Sequence, residues 1–160
     1  RDLAVMKDLG FNVQVIDIDG KTEAEVAQAL ELKDIIFVEG GNTFYLLNSM
    51  RKCNFEKVIK KLLKQGIVYV GSSAGSIVAG KTIQMSNDEN IANLTNLQGL
   101  NLVPFDVFVH YTAEKSEWVT QKIKNPKKRL KQLKILADGQ ALLVQGKDIY
   151  MLGQGEEIIL

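Results

Sequence analysis

The sequence predicts an α/β fold: a three-layer, open and mostly parallel sheet with helices on both faces and β-hairpins at the C-terminal end. Three observations carry that expectation. Short apolar runs alternate with helical patterns through the first half of the chain, two of those runs end in glycine-bearing loops that open helices, and the stretch after Leu133 turns β-rich with Asp138-Gly139 and Gln145-Gly146-Lys147-Asp148 as turn signals.

The chain opens on a helical pattern, Asp2 to Leu9, with Gly10 as its C-terminal stop. Asn12 to Asp17 then reads as a strand, Val13, Val15 and Asp17 on one face and Ile16 on the other. Thr22 with Glu25 three residues later has the form of a capping box, in which the two side chains satisfy free amides at the start of a helix running to about Leu32. Ile35 to Val38 is continuously apolar, which suits a parallel strand covered on both sides by helices.

The loop Glu39-Gly40-Gly41-Asn42-Thr43 opens the next helix, and Asn54 starts another that reaches Gln65 before Gly66 stops it. Ile67 to Val70 is a strand that runs directly into Gly71-Ser72-Ser73-Ala74-Gly75, after which Ser76 to Ala79 continues as a helix. Strand–helix alternation implies right-handed crossovers in an open sheet, and ligands of such sheets bind beyond the carboxyl ends of the strands. Ser86 to Gly99 reads as a polar loop, Val107 to His110 as a strand, Ala113 to Lys124 as a helix, and the remainder as hairpins.

Composition narrows the field of functions. The chain has 160 residues, 46% of them hydrophobic and 24% charged, enough for one globular domain over residues 1–160 with a real core. A net charge of +1 gives no electrostatic pull toward nucleic acid, membrane or an acidic partner. Lys122, Lys124, Lys127, Lys128, Arg129, Lys131 and Lys134 form a basic run, read as a solvated helical face and not as a nucleic-acid site. One cysteine, Cys53, and one histidine, His110, supply neither a disulfide nor a protein-built zinc cage, so the expectation is a cytoplasmic protein without metal or cofactor. No apolar run approaches the ~18 residues of a membrane-spanning helix. Trp118 is read as packing, near Val119 and Ile123.

Gly71-x-Ser73-x-Gly75, placed between an apolar strand and a helix, has the form of a nucleophile elbow, where small neighbours allow a strained turn that exposes the serine hydroxyl. The same residues also suit an anion-binding or merely close-packed turn. A serine becomes nucleophilic when a base takes its proton, and histidine is the usual base. His110 follows a predicted strand, which brings it to the rim of the sheet where Ser73 sits. A carboxylate must hold the base in the right tautomer; Asp88, Glu89 and Asp138 are the candidates, and periodicity does not choose among them. Donors for a developing oxyanion are available in the Ala74 amide and in the Gly40-Gly41 loop.

With these residues assembled, the chain resembles the dipeptidase E (α-aspartyl dipeptidase) family of serine peptidases, whose fold is akin to class I glutamine amidotransferases. The resemblance rests on Gly40-Gly41-Asn42-Thr43-Phe44, on Gly71-Ser72-Ser73-Ala74-Gly75, and on Val103-Pro104-Phe105 leading to His110-Tyr111. The spacing of Ser73, Asp88 and His110 also agrees with the family's order. The resemblance implies Ser73 as nucleophile, His110 as general base, Asp88 as orienting carboxylate with Glu89 next door, and Gly41 with Ala74 as oxyanion donors. It implies hydrolysis of short peptides through an acyl-enzyme, Asp-X dipeptides among them, with Asn42 and Lys115 toward the substrate.

Two departures from the family pattern bear on this. Relatives carry one or two further strands and a helix before the point that corresponds to Arg1, so part of the sheet is expected upstream. The arginine that would grip an aspartate side chain after the histidine is replaced by Lys115 and Lys122, which pair with carboxylates without the fixed fork of arginine. A non-catalytic ligand-binding or assembly module on the same scaffold is the competing reading, and a lipase-like esterase the third. A homodimer is left open.

Overall fold

The structure, a computed structural model, describes residues 2–125 and 132–160. The basic run is therefore covered in part; Lys127, Lys128, Arg129 and Lys131 lie outside the described residues. The elements are helices α1 (Asp2–Asp8) and α2 (Glu23–Leu30), strand β1 (Ile35–Val38), helices α3 (Thr43–Lys52) and α4 (Phe55–Lys64), strand β2 (Val68–Gly71), helix α5 (Ala74–Ala79), strand β3 (Asp106–Phe108), helix α6 (Ser116–Lys124), and strands β4 (Leu133–Ile135), β5 (Gln140–Gln145) and β6 (Asp148–Gly153).

The capping box is formed as its residues dictate. Thr22 Oγ1 accepts from Glu25 N at 3.3 Å, and Glu25 Oε2 accepts from Thr22 N at 2.8 Å. Helix α2 ends at Leu30, two residues before the expected stop, because Glu31 already turns to ψ 142° and Leu32 follows at φ 61°, both outside the helical region. The segment Asn12–Asp17 forms no strand among the described residues; its apolar alternation finds no neighbouring strand to pair with, and a strand without a partner leaves its amides unsatisfied.

Parallel pairing organises the middle of the molecule. β1 pairs with β2 in the register Ile35↔Val68 to Val38↔Gly71, and β3 pairs with β4 from Asp106↔Leu133 to Phe108↔Ile135. Among the described residues these are two separate pairs, not one continuous ladder. Leu133–Ile135 is thus a parallel partner of β3, where the sequence reading placed a hairpin; a three-residue apolar run carries no mark of its partner's direction. Among the described residues one hairpin is present, β5–β6, with Gly146 at φ 63° in its turn.

Ile36 and Val38 of β1 face the main core with Val26, Leu30, Leu47, Met50, Ile59 and Val78, all nearly inaccessible. The other face of this pair is open, with Ile35, Val68 and Val70 exposed, so the continuous apolar run of β1 is covered on one side only. β3 is buried throughout: Phe108 packs with Met85, Val119 and Ile135, while Val107 points to the opposite face with Phe105 and Leu136. Trp118 lies in the same cluster as Phe108, ring centroids 5.5 Å apart, as its position among Val119 and Ile123 implies.

Asp106, the first residue of β3, is a buried carboxyl, 2% exposed, with Oδ1 accepting from Thr82 N at 2.6 Å and Thr82 Oγ1 at 2.9 Å. Burial raises its pKa above the ordinary carboxylate value, against the smaller opposing effect of the Thr82 bonds. A carboxyl with a raised folded-state pKa contributes stability that is present below the unfolded value and lost as pH rises through the folded one. Asp106→Asn is accordingly expected to gain stability relative to the parent as pH rises from 3 to 7, since asparagine keeps the acceptor without burying a charge. Urea midpoints at several pH values measure this, and a difference that is flat with pH overturns it.

Candidate active site

Strand ends build the site, and each supplies its residue a few positions past the last paired one. β2 ends at Gly71 opposite Val38 of β1, so Ser73 and Gly40 emerge side by side. A methyl placed on Gly40 would stand 2.9 Å from Ser73 Cβ, which measures how closely the two loops approach. β3 ends at Phe108 opposite Ile135 of β4, so His110 and Asp138 leave the same edge of the second pair. Tyr111 N donates to Leu136 O at 3.0 Å and ties the two exits together.

Ser73 sits at φ 52°, ψ −115°, a conformation that a side-chain-bearing residue adopts only when its surroundings impose it. Those surroundings are visible in the bonds around the turn. Ser72 N donates to Val38 O (2.9 Å), Tyr69 Oη to Gly75 O (2.7 Å), and Ser76 Oγ to Gly71 O (2.7 Å). Burial drives the Tyr69 phenol far above its usual range, so it remains a donor at every relevant pH. Gly75 is required by space: a Cβ there would lie 2.1 Å from Val38 O, and this oxygen belongs to backbone that cannot retreat without breaking β1. Gly75→Ala is expected to destabilise the protein by at least ~2 kcal/mol, the range of an overpacked core, read from the denaturant midpoint.

Ser73 Oγ lies 2.9 Å from His110 Nε2, and His110 Nδ1 lies 2.6 Å from Asp138 Oδ1. With the Nδ1 proton donated to Asp138, Nε2 is the acceptor for the serine hydroxyl, the arrangement that lets the imidazole take the serine's proton. His110 is itself held at φ 56°, and Lys115 Nζ donates to its carbonyl at 2.7 Å. The pair is open to solvent, the side chains of His110 and Asp138 being 52% and 83% exposed.

Asp88, expected as the orienting carboxylate, is not in contact with His110. Its Oδ2 accepts from Thr43 N (2.7 Å), Thr43 Oγ1 (2.6 Å) and Ser86 Oγ (3.1 Å), which ties it to the start of α3. The carboxylate on the histidine is Asp138, one of the three that the sequence left open; Glu89 contributes its backbone carbonyl to Asn42 Nδ2 at 2.8 Å. The signal that would have selected Asp138 is the parallel pairing of β4 with β3, hidden once Leu133–Ile135 is read as hairpin.

Of the residues expected to face substrate, Asn42 is spent on its own helix, Oδ1 capping Phe44 N (3.1 Å) and Tyr45 N (3.0 Å). Lys115 is engaged with the His110 carbonyl, and Lys122 lies 4.5 Å over the Trp118 ring. The two loops named as oxyanion donors meet at Gly40, where an added Cβ would stand 3.3 Å from Ser73 Oγ and 3.9 Å from Ala74 N, and Gly41 follows at φ 126°. Beside Gly40, Gly41 and Asn42 opens a cavity of about 150 Å³, also lined by Asp17, Asp19 and Tyr45.

A strained serine at a strand-to-helix elbow, with a histidine on its hydroxyl and a carboxylate behind the histidine, defines the class of serine hydrolases. The family follows from comparison: the chain belongs to peptidase family S51, a family of serine peptidases whose model matches residues 2–152. It is 31% identical over 148 residues to the uncharacterized peptidase Lmo0363 of Listeria monocytogenes, a match covering 90% of this chain and 72% of the relative. With a probable alpha-aspartyl dipeptidase of Drosophila melanogaster it shares 35% over 153 residues, covering 90% of this chain and 62% of that protein. A 1.5 Å crystal structure of a peptidase E candidate from Listeria monocytogenes EGD-e superposes with a TM-score of 0.80 at 26% identity, covering 96% of this chain and 76% of that one. No described helix is long and apolar enough to cross a membrane.

Proposed function

We infer that this protein hydrolyses short peptides by acyl transfer, with Ser73 as nucleophile, His110 as general base and Asp138 as the carboxylate that holds the base. The observation that carries the reading is the continuous pair of contacts, 2.9 Å from Ser73 Oγ to His110 Nε2 and 2.6 Å from His110 Nδ1 to Asp138 Oδ1. His110 accepts the hydroxyl proton as Ser73 attacks the peptide carbonyl, and Asp138 stabilises the imidazolium that results. The tetrahedral oxyanion takes hydrogen bonds from Gly41 N–H and Ala74 N–H. Collapse expels the amine with a proton from His110, and a water activated by the same imidazole then releases the acyl group and restores the serine.

The substrate class is dipeptides and other short peptides, Asp-X among them, the specificity that the name of the Drosophila relative carries. An aspartate side chain would meet lysines in place of an arginine fork, and in this structure Lys115 already holds the His110 carbonyl. A preference for Asp-X is therefore expected to be shallow. The reducing cytosol is the setting that fits a protein whose one cysteine, Cys53, is buried and unpaired.

The test is a panel of Asp-X, Glu-X and neutral dipeptides, combined with covalent labelling by a fluorophosphonate and mapping of the modified peptide. Hydrolysis with the label on Ser73 is the expected outcome. A folded protein that neither cleaves any member nor takes the label sinks the reading and moves weight to a ligand-binding module on the same scaffold.

A further inference from the structure

Two glycines in succession form the loop that meets the Ser73 elbow, Gly40 touching it and Gly41 read as the donor beside it, and glycine is the residue that loses most conformational freedom when it is ordered. A catalytic donor on such a loop needs firm anchors at both ends. Upstream the anchor is β1, held through its pairing with β2 and through the Ser72 N to Val38 O bond at 2.9 Å. Downstream the chain passes at once into Asn42 and Thr43, and both are bonded to the loop that contains residues 86–89.

That downstream anchor is built with more polar contact than an ordinary helix start. Thr43 is wholly buried and gives both its backbone N–H and its hydroxyl to one oxygen of Asp88, at 2.7 and 2.6 Å. Ser86, 6% exposed, donates to the same oxygen at 3.1 Å and accepts from Asp88 N at 3.1 Å, which fixes the carboxylate's rotamer from its own side. Asn42 Nδ2 adds a bond to Glu89 O at 2.8 Å. Charge-assisted bonds of this length are about twice as strong as neutral ones, so Asp88 dominates the clamp.

We propose that Asp88 is a positioning residue for acyl transfer: through Thr43 it sets the Gly40–Gly41 loop so that the Gly41 N–H is aimed at the oxyanion. The proposal rests on the reading of Ser73 as nucleophile and of Gly41 as donor. It separates two carboxylates by function, Asp138 acting on the base and Asp88 on the donor that faces the developing charge.

The consequence is a specific kinetic signature. Losing one oxyanion donor costs about 10²- to 10³-fold in rate, and displacing it costs somewhat less. Asp88→Ala is expected to lower kcat by ~10²-fold while KM for a dipeptide changes by less than about threefold, because the oxyanion exists only in the transition state. The pH dependence of kcat/KM keeps its midpoint, since His110 and Asp138 are untouched. Thr43→Val, which removes one of Thr43's two bonds to Asp88 at nearly constant volume, lowers kcat in the same sense by a smaller factor, and Thr43→Ser restores most of it.

Steady-state kinetics of these variants across pH, alongside Asp138→Asn and Ser73→Ala, decide the matter. A kcat loss at constant KM and constant pH midpoint supports the proposal. A pH midpoint for Asp88→Ala displaced as in Asp138→Asn overturns it, because Asp88 would then be acting on His110. Unchanged kcat in Asp88→Ala also overturns it. If Asp88→Ala does not fold, Thr43→Val decides: an unchanged kcat there overturns the proposal, and a selective kcat loss rescued by serine supports it. Full turnover by Ser73→Ala would instead mark failure of the underlying reading of the site.

Discussion

Ser73→Ala is expected to lower kcat/KM toward the best dipeptide by at least ~10⁴-fold, the largest effect of any single substitution in this chain. In the proposed mechanism the Ser73 hydroxyl forms the covalent bond; of its neighbours, Ser72 lies on the strand side of the turn with its amide on Val38 O, and Ser76 Oγ is committed to Gly71 O. What survives is the contribution of the oxyanion donors and of substrate binding to attack by water. Alanine at a backbone of φ 52° carries the same steric demand as serine, so the fold is expected to persist and the loss to be chemical. Near-unchanged near-UV circular dichroism together with abolished fluorophosphonate labelling is the result that checks it.

The second largest effect is expected from Asp138→Asn, about 10³-fold in kcat. Buried triad carboxylates cost ~10⁴-fold when converted to the amide. Asp138 is 83% exposed, so water can take up part of its role and the loss should be smaller. Asparagine is also expected to be worse than alanine. Its amide nitrogen can donate to His110 Nδ1, which forces the ring proton onto Nε2, and that nitrogen then cannot accept from Ser73. Alanine leaves the place to water, which supports either tautomer. Comparing kcat of Asp138→Asn with that of Asp138→Ala checks the order, and equal activity in the two variants would exclude the tautomer argument.

Much of this architecture was legible in the sequence because local chemistry specified it. The Thr22–Glu25 box, the stop at Gly66 and the turn around Ser73 each depend on residues within a few positions of one another, and all are where the residues put them. Pairing between distant segments was the less legible part. Nothing within Leu133–Ile135 says that it lies parallel to β3, and without that pairing Asp138 is an acid in a turn, no better placed than Asp88. Asp88 lies in a polar loop, the resemblance assigns it to His110, and its bonds run instead to Thr43, 45 residues away in the chain. Asn12–Asp17 shows the converse failure, since its alternation suits a strand but the described residues offer no neighbour to complete one.

The shared exit of β3 and β4 has one more consequence. His110 and Asp138 leave the ends of β3 and β4, a ladder of three residues a strand, and past it the two exits are held by Leu136 N to Phe108 O at 2.9 Å and Tyr111 N to Leu136 O at 3.0 Å. Local opening there would part His110 and Asp138 from Ser73 without entering the main core around Ile59 and Val78. On the proposed reading of the site, activity is expected to fail on heating before the main melting transition, and residual-activity and circular-dichroism curves of one preparation check it.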